Sequence, residues 1–247
     1  MTAKEFHKYA DMLLRKQSLP DGVDFGSKDP ESGLTLAHVA VLYDMLPHDF
    51  SQWSLRSIPD GTTVAHAAVE RGMLPVDFDQ WYLADNDGVT VAHVAAEMGC
   101  LPPCFDLWHL ADKKGWTVAH AAATYGNLPL EFDRLDLAAG FDWTVAHECA
   151  RYGHLPNSFD KWSLREKAQG ATVAHIFAQA GGTFPPEFNQ WHLVNKDCWS
   201  VAHIAAKHGS LPKNFDQWNL IHPGGKTVRD VADEYERNHK KSPKMGM

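Results

Sequence analysis

The chain has 247 residues, of which 44% are hydrophobic and 22% charged, a composition that can bury a core and does not favour disorder. It has no run of eighteen apolar residues and no signal-peptide pattern at its amino end, so neither a membrane span nor a secretory leader is expected. The formal charge is −8, and setting aside the four Lys and Arg residues from Arg237 onward leaves −12 on the rest, which disfavours nucleic acid as a partner.

The first predicted element is an N-terminal capping unit over residues 1–32. Its segment 6–25 resembles an opening copy of the repeat that follows, with Leu19-Pro20 in register. Counting back nine residues from Pro20 gives Asp11 at the position that histidine occupies in the later copies. We expect this carboxylate to lie in the first turn of a helix, where a negative charge is favourable.

Residues 33–224 contain seven copies of a 27–28-residue repeat. The copies read, with variations, Gly-x-Thr-Val-Ala-His-x-Ala-Ala-x-x-Gly-x-Leu-Pro-x-x-Phe-x-x-Trp-x-Leu. Self-similarity with such a period is typical of solenoids, in which each copy buries its apolar face against its neighbours. The register is set by seven histidines, His38, His66, His93, His120, His147, His175 and His203.

The first half of each copy predicts a short helix. A threonine or serine three residues before the histidine supplies the hydroxyl of an N-cap, as Thr117 does before His120. The following small residues permit close packing, and a glycine such as Gly126 provides the left-handed C-terminal cap. The first copy departs from this pattern, because Asp44 stands where the others carry glycine.

The second half of each copy predicts a second helix that is very short or 3₁₀-like. Proline is tolerated in the first turn of a helix, and Pro75, Phe78 and Trp81 fall three residues apart. Phenylalanine and tryptophan at this spacing are predicted to be core residues. The fold class that we expect is therefore all-α, a solenoid of stacked helix-turn-helix repeats.

Residues 225–247 are predicted to form a C-terminal capping helix with a basic tail. An eighth copy starts at Gly225, and Asp230 stands at the histidine position before the charged stretch begins. Both terminal units thus exchange imidazole for carboxylate. The whole chain, residues 1–247, is expected to be a single repeat domain.

The first half of the repeat resembles the ankyrin repeat. The segment from Gly115 to Leu128, GWTVAHAAATYGNL, matches that family's Gly-x-Thr-Pro-Leu-His-x-Ala-Ala-x-x-Gly-His-Leu, although Val-Ala replaces Pro-Leu and the unit is about six residues shorter than the ankyrin period. A weaker resemblance, to the leucine-rich-repeat variant family, covers the Leu-Pro-x-x-Phe half. The ankyrin resemblance implies a structural histidine and a binding surface at the hairpin tips and the ends of the first helices.

Three roles are open to a histidine that recurs in this way: metal ligand, catalytic base or structural residue. Equivalent side chains on helices about 8–10 Å apart run parallel and do not converge on one ion, and no second donor recurs within a copy. No metal and no other cofactor is therefore predicted. A catalytic base would need one histidine in a distinct environment, whereas these seven have near-equivalent surroundings.

We therefore expect a structural role for the seven histidines. Each can accept a hydrogen bond from its own turn and donate one to the backbone of the next repeat, a role that the ankyrin resemblance also implies. On this hypothesis, His120→Ala lowers stability by about 1 kcal/mol or more and leaves the partner affinity of the folded protein unchanged.

Residues that vary between copies are the candidates for binding, because the repeated ones hold the stack. Clustered exposed aromatic residues mark interfaces, and the alternative is that these rings pack within the stack. Surrounding acids, among them Glu148, are expected either to form a polar rim that favours a basic partner or to be ordinary solvated surface. The predicted partner-binding residues are Trp116, Tyr125, Phe141, Trp143, Tyr152, Trp199, Met98 and Asp87.

The sequence thus predicts a non-enzymatic scaffold that binds another protein through a face centred on the fourth and fifth repeats, as a regulator, inhibitor or effector. A cytoplasmic location is expected, in the host-cell cytosol for a secreted effector, with no nucleic-acid or membrane partner. Self-association through the exposed aromatics stays open. A second hypothesis is an enzyme or small-molecule receptor with a pocket near residues 147–154 formed by His147, Glu148 and His154.

Overall fold

The structure, a computed structural model, describes residues 1–240, and within them every regular element is helical. The predicted basic tail beyond residue 240 lies outside the described residues. A single 3₁₀ turn, Gly140–Asp142, precedes α6. The helices are α1 (Ala3–Leu14), α2 (Leu36–Leu42), α3 (Val64–Glu70), α4 (Val91–Met98), α5 (Val118–Tyr125), α6 (Val145–Tyr152), α7 (Val173–Gln179), α8 (Val201–His208) and α9 (Val228–Lys240).

The chain divides into two compact units, residues 1–122 and residues 123 onward. In the first unit α1 packs on α2, α2 on α3 and α3 on α4. In the second unit α6 packs on α7, α7 on α8 and α8 on α9. Each unit is a stack of consecutive helical repeats, so the predicted all-α repeat fold is confirmed.

The short helices form where local signals place them, and α4 is representative. Thr90 has an extended backbone, and its hydroxyl accepts a hydrogen bond from the backbone N–H of His93, which satisfies a donor of the first turn. Gly99 ends the helix in the left-handed conformation, with φ 67°. The inward residues are valine and alanine and are buried, so neighbouring helices can approach closely.

Hairpin turns connect the repeats and place the N-cap residue. Thr63 pairs with Arg56, and Ser200 with Val194, through isolated antiparallel bridges. Successive tips approach closely: a Cβ on Gly88, whose φ is 83°, would lie 2.9 Å from the backbone nitrogen of Lys113. Only glycine fits there, which explains the glycine at the start of the repeat.

The second helix that the sequence predicts in each repeat, very short or 3₁₀-like, does not form. Among residues 1–240, the Leu-Pro-x-x-Phe-x-x-Trp half forms two separate turns, closed in the second repeat by the bonds from Phe78 N to Pro75 O and from Leu83 N to Gln80 O. Each turn has a single i+3 to i bond, too few to sustain a helix whose nucleation is unfavourable. Packing of the aromatic side chains decides the conformation instead.

These aromatic side chains form what we call the aromatic column, the Phe and Trp rings of the second halves packed edge to face between repeats. In the first unit the ring centroids of Phe50 and Trp53 are 5.0 Å apart, and Trp53 lies 5.9 Å from Phe78 of the next repeat. In the second unit Trp191 lies 5.3 Å from Phe215 in the same way. Such pairs stabilise by about 0.5–1.5 kcal/mol beyond their burial.

The recurring histidines form what we call the histidine ladder. In each copy the Thr or Ser hydroxyl lies 2.6–2.7 Å from the histidine Nδ1. Histidine Nε2 lies 3.0–3.2 Å from a backbone carbonyl of the next repeat in the pairs of His38 with Thr62, His66 with Val89, His93 with Trp116, His175 with Trp199 and His203 with Lys226.

This geometry assigns the tautomer. A carbonyl can only accept, so Nε2–H donates to the next repeat, and Nδ1 accepts from the hydroxyl and, at Thr90, also from the backbone N–H. The ring is therefore neutral. Burial lowers the pKa of the His175 imidazole to about 4.

His147 departs from the pattern of the ladder at its Nε2 atom. Its Nε2 is buried and forms no hydrogen bond to any residue within 1–240. The Ala171 carbonyl, the equivalent acceptor, favours the protonated ring but falls outside hydrogen-bonding geometry. A buried N–H without an acceptor is destabilising, so this repeat junction has a local defect.

Asp11 and Asp230 were both expected to take the histidine position in the terminal units, and only one of them does. Asp230 does so: its carboxylate accepts from the backbone and hydroxyl of Thr227, where the other copies use Nδ1. Asp11 does not, because α1 begins at Ala3 with Thr2 as its N-cap, and Asp11 lies near the other end of the helix, paired with Arg15 at 3.0 Å. The longer first helix, which lacks the repeat's helix start, shifts this residue out of the first turn.

Candidate protein-binding surface

The predicted binding residues are divided between the two units. Trp116, Met98 and Asp87 lie in the first unit, and Tyr125, Phe141, Trp143, Tyr152 and Trp199 lie in the second. Asp87 and the side chains of Met98, Tyr125, Phe141 and Tyr152 are exposed, whereas the three indoles are half-buried. A continuous face that joins Trp116 to Trp143 stays a prediction.

The three indoles are held within the stack on one side. Trp116 lies over the ring of His120, with centroids 4.7 Å apart, and Trp143 lies 5.1 Å from His147. Trp199 stacks on His222 of the next hairpin tip at 4.2 Å. The alternative of rings packed on neighbouring tips therefore describes Trp199.

A buried carboxylate fixes the orientation of Trp143. Its indole N–H donates to Glu148 Oε2 at 2.8 Å, and the hydroxyl of Thr124 donates to Glu148 Oε1 at 3.1 Å. Glu148 is only 2% exposed, so its predicted place in a polar rim is wrong. The carboxylate lies inside because two neutral donors satisfy it there.

The second unit contains a groove of about 430 Å³, which we call the Phe141 groove. Phe141 and Trp143 line it on the hairpin of the fifth repeat, and Ala171 lines it where the adjacent repeats carry tryptophan. Further lining comes from α7 and α8, with Ile176 and Ile204 among the apolar side chains. The small methyl group of Ala171 leaves open the space that an indole occupies in the neighbouring copies.

Phe141 is presented in a strained backbone conformation. Its φ is 60°, and that of Asp142 is 58°, although neither residue is glycine. A left-handed conformation costs about 1–2 kcal/mol for a residue with a Cβ, and such strain clusters at functional sites. The ring is 76% exposed, while its carbonyl accepts from Lys167 N at 2.6 Å and Asp142 pairs with Lys167 at 3.0 Å. The tip is thus fixed, and the apolar ring points into solvent.

Charges around the groove are few. Among its lining residues the formally charged side chains are Glu166 and Lys207. Glu166 is buried, and its carboxylate accepts from the backbone N–H groups of Gln169 and Ala171 in its own loop. Burial and the neighbouring Lys207 lower the pKa of His208, which favours its neutral form. The acidic charge that would favour a basic partner is therefore not concentrated in this groove.

Of the residues that line the groove, Phe141 and Trp143 were predicted from the sequence, whereas the apolar residues Ile176 and Ile204 were not. Ile176 and Ile204 follow the ladder histidines directly, at a position that varies among Val, Ala, Glu and Ile along the chain. That variation was the available signal. Tyr125, Tyr152 and Trp199 are not among the lining residues of the groove.

The alternative pocket near residues 147–154 is not assembled as predicted. His147 is fully buried, and Glu148 nearly so, with its carboxylate engaged by Trp143 and Thr124. His154 instead lines a second cavity of about 370 Å³, together with residues of the fourth and fifth repeats. Within residues 1–240 no three His, Cys, Asp or Glu side chains are grouped as metal ligands.

Comparison with known proteins adds no relative. No protein-family model matches the sequence, and no curated protein has significant similarity to it. The resemblance to ankyrin repeats therefore stays a prediction, carried by the motif alone. Over residues 1–240, no helix is both long enough and apolar enough to cross a membrane.

Proposed function

We propose that this protein binds another protein through the Phe141 groove. The observation that carries the proposal is the combination of a strained, exposed phenylalanine with an open groove whose lining, apart from the ladder residue His175, varies between copies. Aromatic side chains dominate binding energy at interfaces, and an apolar ring held rigidly in solvent loses little entropy on binding. A partner that inserts an apolar side chain over Ala171 would fit this arrangement.

The role that we propose is a regulator, inhibitor or effector scaffold acting in the cytoplasm, or in the host-cell cytosol for a secreted effector. The four cysteines are free thiols, which supports a reducing compartment. Exposed Tyr125 and Tyr152, which lie in the same unit as the groove, are candidates for wider contacts with the same partner, and exposed Met98 of the first unit stays a predicted binding residue. A partner with a basic surface remains a prediction from the acidic composition.

The test compares partner recovery between the intact protein and two groove variants, Phe141→Ala and Ile176→Asp. We expect both to lose a shared partner, with affinity for the purified partner reduced at least tenfold in calorimetry. Tyr82→Ala is the matched control, because Tyr82 is also an exposed aromatic, 60% exposed, but lies in the first unit. Identical partner sets for all four proteins would reject the groove.

Self-association is tested by the same variants. If the partner is a second copy of the chain, sedimentation will show a dimer that Phe141→Ala dissociates and Tyr82→Ala does not. The second candidate function, a small-molecule receptor, rests on a different cavity, which shares no lining residue with the Phe141 groove.

A further inference from the structure

Two successive repeat junctions in the second unit have the same pattern but different side-chain volumes. Where the junction of the fifth and sixth repeats has Trp162, the junction of the fourth and fifth has Leu135, six residues after the proline in each copy. Two residues after the ladder histidine, the corresponding pair is Phe177 and Cys149. The chain therefore contains an internal comparison at equivalent positions.

The junction of the fifth and sixth repeats is filled by aromatic rings. The Trp162 ring lies 5.2 Å from that of Phe177 and 5.4 Å from that of Phe184, and these two phenylalanines are 5.0 Å apart. Phe184 stands directly before the proline of its copy, where the preceding copy has Leu155. Three mutually packed aromatic rings thus occupy this junction.

At the junction of the fourth and fifth repeats, all three positions carry smaller side chains, and a cavity lies beside them. Leu135, Cys149 and Leu155 line this space of about 370 Å³, which we call the Leu135 cavity. Phe132, the column residue of the fourth repeat, also lines it. An apolar cavity of about 150 Å³ is enough for benzene, and small-molecule sites begin at about 300 Å³.

The His154 side chain at the cavity can orient a ligand. The Nδ1–H of His154 donates to the carbonyl of Ala123 at 2.8 Å, which leaves Nε2 of the neutral ring as an acceptor. The imidazole lies over Gly126, where a Cβ would come within 3.1 Å of Cε1 and Nε2. Gly126 thus lets the ring reach this position beside the cavity.

We propose that the Leu135 cavity binds a small planar aromatic molecule of one or two fused rings that carries an N–H or O–H donor. The ring takes the place of the aromatic side chains that the next junction supplies from its own sequence, and Phe132 offers it an edge-to-face contact. The donor group bonds to His154. This site is independent of the Phe141 groove, so either proposal can fail alone.

The first experiment titrates the full chain with indole and follows the methyl groups of Leu135 and Leu155 by NMR. We expect saturable shifts of these methyl signals. Phenol and cyclohexanol, both neutral and both O–H donors, are the matched pair that tests the ring. Cyclohexanol should bind at least tenfold more weakly than phenol, because it has no aromatic edge or face. Absence of saturable shifts with indole, or equal binding of phenol and cyclohexanol, would overturn the proposal.

The second experiment fills the cavity with the residues of the neighbouring junction. Leu135→Trp and, separately, Cys149→Phe should each weaken indole binding at least tenfold while the thermal midpoint stays within a few degrees of the parent's. Leu135→Met is the matched control, since it conserves volume and should retain binding. If one filled variant fails to fold, the other decides the question. Unchanged indole affinity in a folded filled variant would refute the site.

Discussion

At the scale of single residues, the histidine is kept because one neutral imidazole joins two repeats. Its Nδ1 and Nε2 have opposite roles, acceptor within the turn and donor to the next hairpin, as in His93 between Thr90 and Trp116. Asparagine or glutamine could imitate one of these contacts but not both with the same rigid spacing. A carboxylate can only accept, which is sufficient at Asp230, after which no further hairpin follows in the described chain.

The first prediction compares a ladder histidine that makes the bond to the next repeat, His93, with one that does not, His147. His93→Ala removes a buried bond to Trp116 O, whereas His147→Ala removes a ring whose Nε2 has no hydrogen bond within the described residues. We expect His93→Ala to be the more destabilising by about 1 kcal/mol, with similar loss of packing in both. Urea unfolding of the two variants measures the difference. Equal losses would indicate that the ring's volume, and not the bond, stabilises the junction.

A second prediction concerns the carboxylate beneath Trp143. Glu148→Ala leaves two half-buried donors, the Trp143 indole N–H and the Thr124 hydroxyl, without the oxygen atoms that now accept from them. We expect a loss of about 1–3 kcal/mol in the free energy of unfolding. Glu148→Gln keeps one acceptor oxygen and should lose less than Glu148→Ala. If the two variants melt at the same temperature, the hydrogen bonds do not stabilise this site.

At the scale of the element, the first helix of each repeat was predictable and the second half was not. Thr90 and Gly99 act on their own neighbouring backbone, so their effects can be read from local sequence. The Pro-x-x-Phe-x-x-Trp half has the spacing of a helix, but its rings pack against other repeats, as Trp53 does on Phe78. Local spacing does not contain that information.

Some residues of the candidate site could be predicted from the sequence, but their arrangement in space could not. Variation between copies identified Trp143, but not that the small residue Ala171 would open a groove between copies. The exposure of Phe141 follows from a left-handed backbone that nothing in its residue type favours. Glu148 was misplaced because its burial depends on two partners, Thr124 of the preceding helix and Trp143 of the hairpin.

A further prediction concerns Thr90, the N-cap residue of α4. Thr90→Ala removes the hydroxyl that accepts from the His93 backbone and donates to its ring, and we expect a loss of about 0.5–2 kcal/mol. Thr90→Ser should be nearly neutral, since Ser200 performs the same two contacts at α8. Thermal unfolding monitored by circular dichroism distinguishes the variants. A serine variant as unstable as the alanine variant would shift the role to the threonine methyl group.

At the scale of the whole molecule, the ladder makes stability depend on pH. Burial is the largest cause of the lowered pKa of six ladder histidines, His38, His66, His93, His147, His175 and His203. The unfolded chain, with histidine pKa values near 6.5, therefore binds more protons than the folded chain as the pH falls. Stability is complete above about pH 6.5 and decreases below it, through the folded values, toward about pH 4 for His175.

The decrease should be steep, because each fully titrating histidine contributes a slope of up to about 1.4 kcal/mol per pH unit. The slopes of the six histidines add, and the net stability against which they act is only about 5–15 kcal/mol. We expect the urea midpoint to be flat from pH 8 to 7 and to fall sharply between pH 6.5 and 5. Asp60, whose pKa is lowered to about 2, loses its contribution to stability only at lower pH, so the two effects separate.

His93→Gln removes one titrating group and should reduce the slope of the urea midpoint against pH. A midpoint that stays level down to pH 5 would mean that the buried imidazoles accept protons without breaking the ladder.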